Sequence, residues 1–187
     1  MAAARGGQAD LLAQQGRMDE ARLVLAQVKT TTTEQAKRKT LVQSQWMREH
    51  KQAAGAYALV KTALDAQAND ADLIAELAMV TEKLKRFDEM ERLLRQLIAV
   101  RPQDPQAFNA LGYSLADRKI RLDEARSLIE QAVMLVPKDP YIQDSLGWVA
   151  FRQGKVTEAL QILQTAYKAK PDAEIAAHLG EVLWALG

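Results

Sequence analysis

The chain has 187 residues, of which 48% are hydrophobic and 26% charged, a balance typical of a folded globular protein and unlike a disordered tail or a collagen-like fibre. Its 25 lysines and arginines nearly balance its 24 acidic residues, so a general electrostatic attraction to nucleic acid or to an anionic membrane is not expected. The chain has no cysteine, which excludes disulfides, thiolate metal sites and a cysteine nucleophile.

The N-terminal segment is not predicted to contain a secretory signal, and it contains the first sequence that recurs later in the chain. The opening MAAARGGQADLL lacks the apolar core of a secretory signal, so we expect none in this chain. The longest uncharged stretch, residues 105–116, is far shorter than the roughly 20 residues that a helix needs to cross a bilayer. The segment QGRMDEA at residues 15–21 matches RQGKVTEA at residues 152–159.

Copies of one repeat follow each other every 34 or 35 residues. The pair Leu111-Gly112 recurs as Leu146-Gly147, and Pro137 recurs as Pro171. We therefore treat residues 1–187 as one array. The predicted copies are residues 2–35, 37–70, 71–104, 105–139 and 140–172, followed at 173–187 by the first helix of a sixth.

The second copy is the least regular. Before it lies the segment KTTTTEQ, in which Thr31 and Glu34 have the spacing of a capping box and predict the start of a helix. The repeat pattern of this copy is clear mainly in its second helix. A longer or differently phased first helix in this copy therefore remains an alternative.

Each copy is predicted to form two helices. In the fifth copy Ile142, Leu146 and Val149 recur three or four residues apart, as in an amphipathic helix. Gly154 interrupts that pattern, and a second helical stripe ends before Pro171. Small residues such as Gly147 would let the paired helices approach closely, and a larger side chain there should cost about 1 to 3 kcal/mol.

The spacing of these residues resembles the tetratricopeptide repeat, a helix-turn-helix motif of 34 residues. With Pro140 at position 1, the family's signature positions 7, 8, 20, 24, 27 and 32 hold Leu146, Gly147, Ala159, Leu163, Ala166 and Pro171. The resemblance implies an all-α fold, namely a right-handed α-solenoid (a superhelix) of antiparallel helix pairs, with about five repeats plus one extra helix.

The resemblance also implies a partner-binding surface. In the family the first helices line a concave groove, and positions 2, 5, 9, 12 and 13 face the ligand. From these positions the predicted partner-binding residues are Asn109, Tyr113, Tyr141, Asp144, Trp148, Phe151 and Arg152. In the alternative interpretation, Trp148 and Tyr113 fill space between neighbouring first helices. The Lys/Arg and Asn pairs with which one subclass grips a C-terminal carboxylate are absent from positions 5 and 9.

The sequence offers little for catalysis. His50 and His178 are the two histidines, lie about four repeats apart, and are predicted to be partly exposed helix residues. Phosphate-binding loops and nucleophile motifs such as GxSxG are absent from the sequence. We therefore expect no catalytic residue, no metal, no cofactor and no enzymatic activity.

Three strings, NALGYSLADR, DSLGWVAFRQGK and AAHLGEVLWALG, are similar to a group of proteobacterial tetratricopeptide proteins. That group includes outer-membrane lipoproteins and adaptors for a periplasmic C-terminal processing protease. The resemblance implies that the full-length protein is periplasmic or attached to the outer membrane, with a cytoplasmic location as the alternative.

The predicted function is a non-catalytic scaffold or adaptor that binds a protein or peptide in its groove. It is expected to bind no nucleic acid and to insert no part of this segment into a membrane. Two alternatives remain: the substrate-recruiting region of a larger enzyme, and a self-associating scaffold. The apolar residues 182–186 predict either that a longer array continues beyond them or that a homo-oligomer forms through the C-terminal helix.

Overall fold

The computed structural model describes residues 2–187, with side chains from residue 7 onward. Over that range the chain forms eleven α-helices and no β-strand, which confirms the predicted all-α helical repeat fold. The helices are α1 (Ala2–Gln14), α2 (Met18–Ala26), α3 (Thr33–Glu49), α4 (Ala53–Ala66), α5 (Ala71–Lys83), α6 (Phe87–Val100), α7 (Pro105–Asp117), α8 (Leu122–Leu135), α9 (Pro140–Arg152), α10 (Val156–Ala169) and α11 (Ala173–Leu186).

The helices belong to two compact units, one ending at Leu93 and one beginning at Leu94, so that the boundary falls within α6. In the first unit α1 packs on α2, and α3 packs on α4 and α5. In the second unit α7 packs on α8, α9 packs on α10, and α11 packs on both members of the preceding pair. A short turn joins the two helices of each pair, as expected for a helix-turn-helix repeat.

The start of α3 differs from the prediction by one residue. Thr32 is the N-cap, and its side chain accepts a hydrogen bond from the backbone N–H of Gln35 at 3.1 Å. The Gln35 side chain accepts in turn from the backbone N–H of Thr31 at 2.8 Å. The predicted box of Thr31 with Glu34 is therefore wrong, because the run of threonines satisfies the motif in either register.

The same helix is longer than the first helices of the later copies, which is one of the two forms of the alternative left open for the second copy. α3 has 17 residues, whereas α5, α7 and α9 have 13 each. Side chains of α3 reach α5 in the first unit. The buried carboxylate of Glu76 accepts hydrogen bonds from Ser44 Oγ at 2.6 Å and Arg48 Nε at 2.9 Å. These charge-assisted bonds satisfy a carboxylate that would otherwise be costly to bury.

In the second compact unit, two glycines mark the closest approach within each helix pair. A methyl group at Gly112 would lie 2.6 Å from Cγ1 of Ile129, and one at Gly147 would lie 2.6 Å from Cγ of Leu163. Both distances are far shorter than van der Waals contact, as the predicted close packing of the pairs requires. Gly180, at the same place in α11, has no heavy atom within 4 Å of that position.

Helix α11 buries one side and exposes the other. Ile175, His178 and Val182 are buried, and Val182 joins the apolar cluster that contains Ala159 and Leu163. By contrast Trp184 is 89% exposed. No helix within residues 2–187 is long and apolar enough to cross a membrane.

Candidate partner-binding surface

All seven predicted partner-binding residues lie in the second compact unit, on two helices that pack against each other. Asn109 and Tyr113 are on α7, and the other five are on α9. Both helices begin with Asp-Pro, in which the aspartate caps two backbone N–H groups and proline occupies the first turn. The sequence therefore sets the start of each helix and with it the face on which these residues lie.

Burial divides the seven residues into two groups. Tyr141 is 39% exposed, while Asn109, Tyr113, Phe151 and Arg152 are half-buried. Trp148 and Asp144 are only 2% and 3% exposed. These two side chains form the base of the surface and the other five form its accessible layer.

Trp148 lies between two other side chains. The His178 ring stacks on it with 4.2 Å between ring centres and 22° between planes. The Arg152 guanidinium carbon lies 4.2 Å from the indole centre. Both groups therefore lie against the indole ring. A cation over an indole is a favourable arrangement that also fixes the orientation of the ring.

His178 was missed by the sequence analysis, and its predicted partial exposure is wrong. It is 7% exposed because it lies on the buried side of α11 between Ile175 and Val182. Its Nδ1 lies 2.8 Å from Oδ2 of Asp144, and its Nε2 lies 3.4 Å from the Tyr113 hydroxyl. One sequence signal could have found it: His178 follows Asp144 by 34 residues, one repeat length. His50, by contrast, is partly exposed.

Several buried polar atoms of the predicted residues have no hydrogen-bond partner within the part of the chain that the structure describes. Two are acceptors, Oδ1 of Asn109 and Oδ1 of Asp144, and two are donors, Nε1 of Trp148 and Nε of Arg152. Buried polar atoms are nearly always hydrogen-bonded in folded proteins. Each of these four atoms is shielded from solvent, so they mark where hydrogen bonding inside the surface is incomplete and are not themselves exposed to a ligand.

The outer edge of the surface carries charge. The Tyr141 hydroxyl donates to Oδ2 of Asp172 at 3.2 Å, and Lys170 Nζ lies 4.5 Å from the centre of the Tyr141 ring. The hydrogen bond with Tyr141 is the main cause that holds the pKa of Lys170 above its ordinary value. Arg152 Nη2 lies 3.4 Å from the backbone oxygen of Asp117. Among the described residues, no group of three or more metal-binding side chains is placed to hold an ion.

Comparison with known families gives matches along most of the chain. A sequence profile described as tetratricopeptide repeat matches residues 76–141, 121–174 and 145–187. Together these stretches cover residues 76–187, more than half of the chain, and include all the residues of the surface described above.

Individual relatives show the same similarity. The TPR repeat-containing protein PA4667 of Pseudomonas aeruginosa is 41% identical over 174 residues, which are 93% of this chain and 30% of the relative. The chain thus spans less than a third of that protein's length. The crystal structure of TTC0263, a thermophilic TPR protein of Thermus thermophilus, is similar with a TM-score of 0.72 and 16% identity, covering 98% of this chain and all of the other.

A second solved structure is that of YrrB, described as a TPR protein with an unusual peptide-binding site. It has a TM-score of 0.66 and 20% identity, and the match covers 97% of this chain and 92% of YrrB. At these identities the two structures show a shared fold.

Proposed function

The chain belongs to the tetratricopeptide repeat family, whose members mediate protein–protein interactions, and we propose that it is a non-catalytic scaffold that binds a protein or peptide through α7 and α9. The binding surface consists of the seven predicted residues, Asn109, Tyr113, Tyr141, Asp144, Trp148, Phe151 and Arg152. Aromatic side chains with one polar atom and arginine are the residue types that dominate protein-binding hot spots.

The observation that carries this proposal is the accessible layer on α7 and α9, in which two tyrosines, a phenylalanine and an arginine lie on two helices that pack against each other. A peptide main chain offers a carbonyl acceptor and an N–H donor at every residue. It can therefore pair with the tyrosine hydroxyls and the Arg152 guanidinium while its side chains pack on the aromatic rings. The peptide-binding site ascribed to the structurally similar YrrB supports the same class of ligand.

The experiment compares two tyrosines of nearly equal exposure. Tyr141 on α9 is 39% exposed and belongs to the surface, whereas Tyr167 on α10 is 37% exposed and does not. Peptides selected on the chain from a random phage-display library are labelled and titrated against both alanine variants. We expect Tyr141→Ala to weaken binding by about tenfold or more and Tyr167→Ala to leave it unchanged. Equal losses, or no selected peptide, would refute the proposal.

For the full-length protein we propose a role as an adaptor for a periplasmic protease or for envelope assembly, at or near the outer membrane. The resemblance of residues 109–187 to proteobacterial adaptors supports this, and the Pseudomonas relative supports only the repeat family. Cell fractionation combined with co-purification of an envelope protease tests it. Cytoplasmic fractionation would refute the location, and a catalytic domain in the full-length chain would favour the substrate-recruiting alternative.

A second candidate, self-association, is favoured by one observation. Leu183, Trp184 and Leu186 of α11 are exposed apolar side chains. Adjacent exposed apolar residues of this kind commonly mark interaction sites. Light scattering over a dilution series should show a dimer or larger species that Trp184→Ser converts to monomer. A mass that stays monomeric at all concentrations would refute self-association.

A further inference from the structure

His178 connects the two helices of the proposed surface. It contacts Tyr113 on α7 and both Asp144 and Trp148 on α9. His178 thus contacts three of the seven predicted residues, and these three lie on both helices. We infer that His178 is a positioning residue for this surface and that its protonation regulates peptide affinity, an inference that rests on the proposed function.

The hydrogen bonds of His178 define its neutral form. An ionised carboxylate can only accept, so at neutral pH the 2.8 Å contact with Asp144 requires a hydrogen on Nδ1 of the imidazole. In the neutral ring Nε2 then carries a lone pair. The Tyr113 hydroxyl, 3.4 Å away, is placed to donate its hydrogen to that lone pair. The tautomer of His178 thus decides whether the imidazole can accept from Tyr113.

Protonation reverses this second hydrogen bond. Once Nε2 carries a hydrogen it can only donate, so the Tyr113 oxygen must accept and its own hydrogen must turn elsewhere. Tyr113 is one of the half-buried residues of the accessible layer. A peptide group that fits the neutral arrangement therefore meets a different hydrogen-bond pattern when His178 is protonated.

Protonation also changes the charge next to Trp148. The Arg152 guanidinium and an imidazolium would then both lie against the indole, each 4.2 Å from its centre. The two cations repel each other, and the Arg152 side chain is the more exposed of them, at 17% against 9%. Arg152 would consequently be displaced from the ring, which alters the accessible layer at a second point.

The other groups near His178 do not prevent this change. The charged or titratable groups in contact with it or with the ring on which it stacks are Tyr113 on α7 and Asp144 and Arg152 on α9. On α11 itself, Glu174 lies four residues before His178 and Glu181 three residues after it, and both are exposed. Helix α10 meets α11 through apolar side chains, with Ala159 and Leu163 in the cluster around Val182. Asp144 can hold the imidazole in either protonation state because its carboxylate accepts from Nδ1–H in both.

The test measures peptide affinity against pH in the full chain. Peptides are selected from a random phage library at pH 7.5, and their affinity is then measured from pH 7.5 to pH 5.5. We expect the best labelled peptide to bind about threefold or more weakly at pH 5.5, the effect of about one lost hydrogen bond. His178→Phe keeps a stacking ring without the proton, and should bind more weakly at pH 7.5 with a flat pH profile.

Two further variants separate positioning from folding. His178→Asn keeps a donor for Asp144 and should bind more tightly than His178→Phe, again with a flat profile. Tyr113→Phe removes the reversible hydroxyl while keeping the ring, and should reduce the pH dependence to the part that Arg152 contributes, even if His178→Phe fails to fold. A pH profile shared by wild type and variants would overturn the inference alone. Failure to select any peptide would overturn the proposed function and this inference with it.

Discussion

Gly147 leaves no room for a side chain between α9 and α10. A methyl group there would lie 2.6 Å from Cγ of Leu163, so Gly147→Ala should destabilise the protein by about 1 to 3 kcal/mol. Gly180→Ala is the matched control, because no atom lies within 4 Å and alanine is the better helix former by about 1 kcal/mol. Urea unfolding followed by circular dichroism measures both. Similar effects of the two changes would contradict the packing argument.

Three lysines occupy turns where the other copies have glycine. Lys51, Lys85 and Lys119 have positive φ angles of 60°, 57° and 55°, and the equivalent Gly16 and Gly154 have 76° and 81°. A non-glycine residue in this region carries strain of about 1 kcal/mol. Replacing one lysine with glycine removes this strain but also raises the entropy of the unfolded chain. The net effect should be a stabilisation of about 0.5 kcal/mol.

The reverse change provides the control for the turns. Gly154→Lys should destabilise by a similar amount, because the site has open space and the cost is conformational alone. Thermal unfolding of both variants gives the comparison. If both changes move the melting temperature in the same direction, backbone strain is not the cause.

At the scale of the helix, the N-cap of α9 determines how firmly the first turn of the binding surface is held. The Asp139 carboxylate accepts from the backbone N–H groups of Tyr141 at 2.9 Å and Ile142 at 3.1 Å. Asp139→Ala should destabilise by about 0.5 to 2 kcal/mol, whereas Asp139→Asn keeps an acceptor and should cost much less. Chemical denaturation measures the unfolding free energies of the two variants. If the lost cap is the cause, the amide of Tyr141 should exchange faster in the alanine variant and not in the asparagine variant.

The ion pair between α8 and α10 should make stability depend on pH. Arg126 Nη2 lies 2.7 Å from Oε1 of Glu158, and this hydrogen bond holds the pKa of Glu158 below its ordinary value. A lowered folded pKa means that the pair stabilises the fold above about pH 4.3, and that this stabilisation disappears as the pH falls through the folded pKa. Both side chains are partly exposed, so the contribution at pH 7 should be below about 1 kcal/mol.

The measurement for this ion pair compares wild type with Glu158→Gln across pH. Their unfolding free energies should differ at pH 7 and converge in acid. Arg126→Met combined with Glu158→Gln completes a double-mutant cycle that removes effects of either residue alone. A difference that persists or grows in acid would show that the pair is not responsible.

The sequence predicted the start of a helix wherever its pattern was compatible with only one start. The Asp-Pro pairs before α7 and α9 and the 34-residue spacing left a single arrangement, and the helix pairs follow from them. The threonine run before α3 allowed two capping registers, and the sequence offered no means of choosing between them. In the structure Thr32 is the N-cap, and the side chain of Gln35 accepts a hydrogen bond from the backbone N–H of Thr31.

For the molecule as a whole, the sequence predicted which helices carry the surface but not which side chains form its base. The burial of Trp148 and Asp144 depends on His178, which lies one repeat further along the chain. A repeat pattern gives the position of a residue within its own copy. It does not show which side chain of the next copy will cover that residue. The size and hydrogen bonding of that side chain decide whether the residue is buried.

The core around Trp46 should be less stable than the core around Trp148, because the two tryptophans lie among side chains of different size. Trp46 packs in a cluster whose other buried residues are Ala9, Ala13, Ala21 and Leu25. Alanines bury less apolar area than the leucines and isoleucines near α9, and stabilisation scales with that area. In repeat proteins each copy depends mainly on its neighbours, so separate transitions are physically allowed. The Trp46 signal should therefore change at lower urea than the Trp148 signal.

Single-tryptophan chains test this difference. Trp184→Phe combined with Trp148→Phe leaves Trp46 as the reporter, and Trp184→Phe combined with Trp46→Phe leaves Trp148. Trp184 is 89% exposed, so its emission should shift little on unfolding and its removal should cost little stability. Circular dichroism of each variant shows whether the substitutions themselves alter stability. Coincident fluorescence transitions, matching a single dichroism transition, would mean that residues 2–187 unfold cooperatively and that the alanine-rich cluster is not the weaker region.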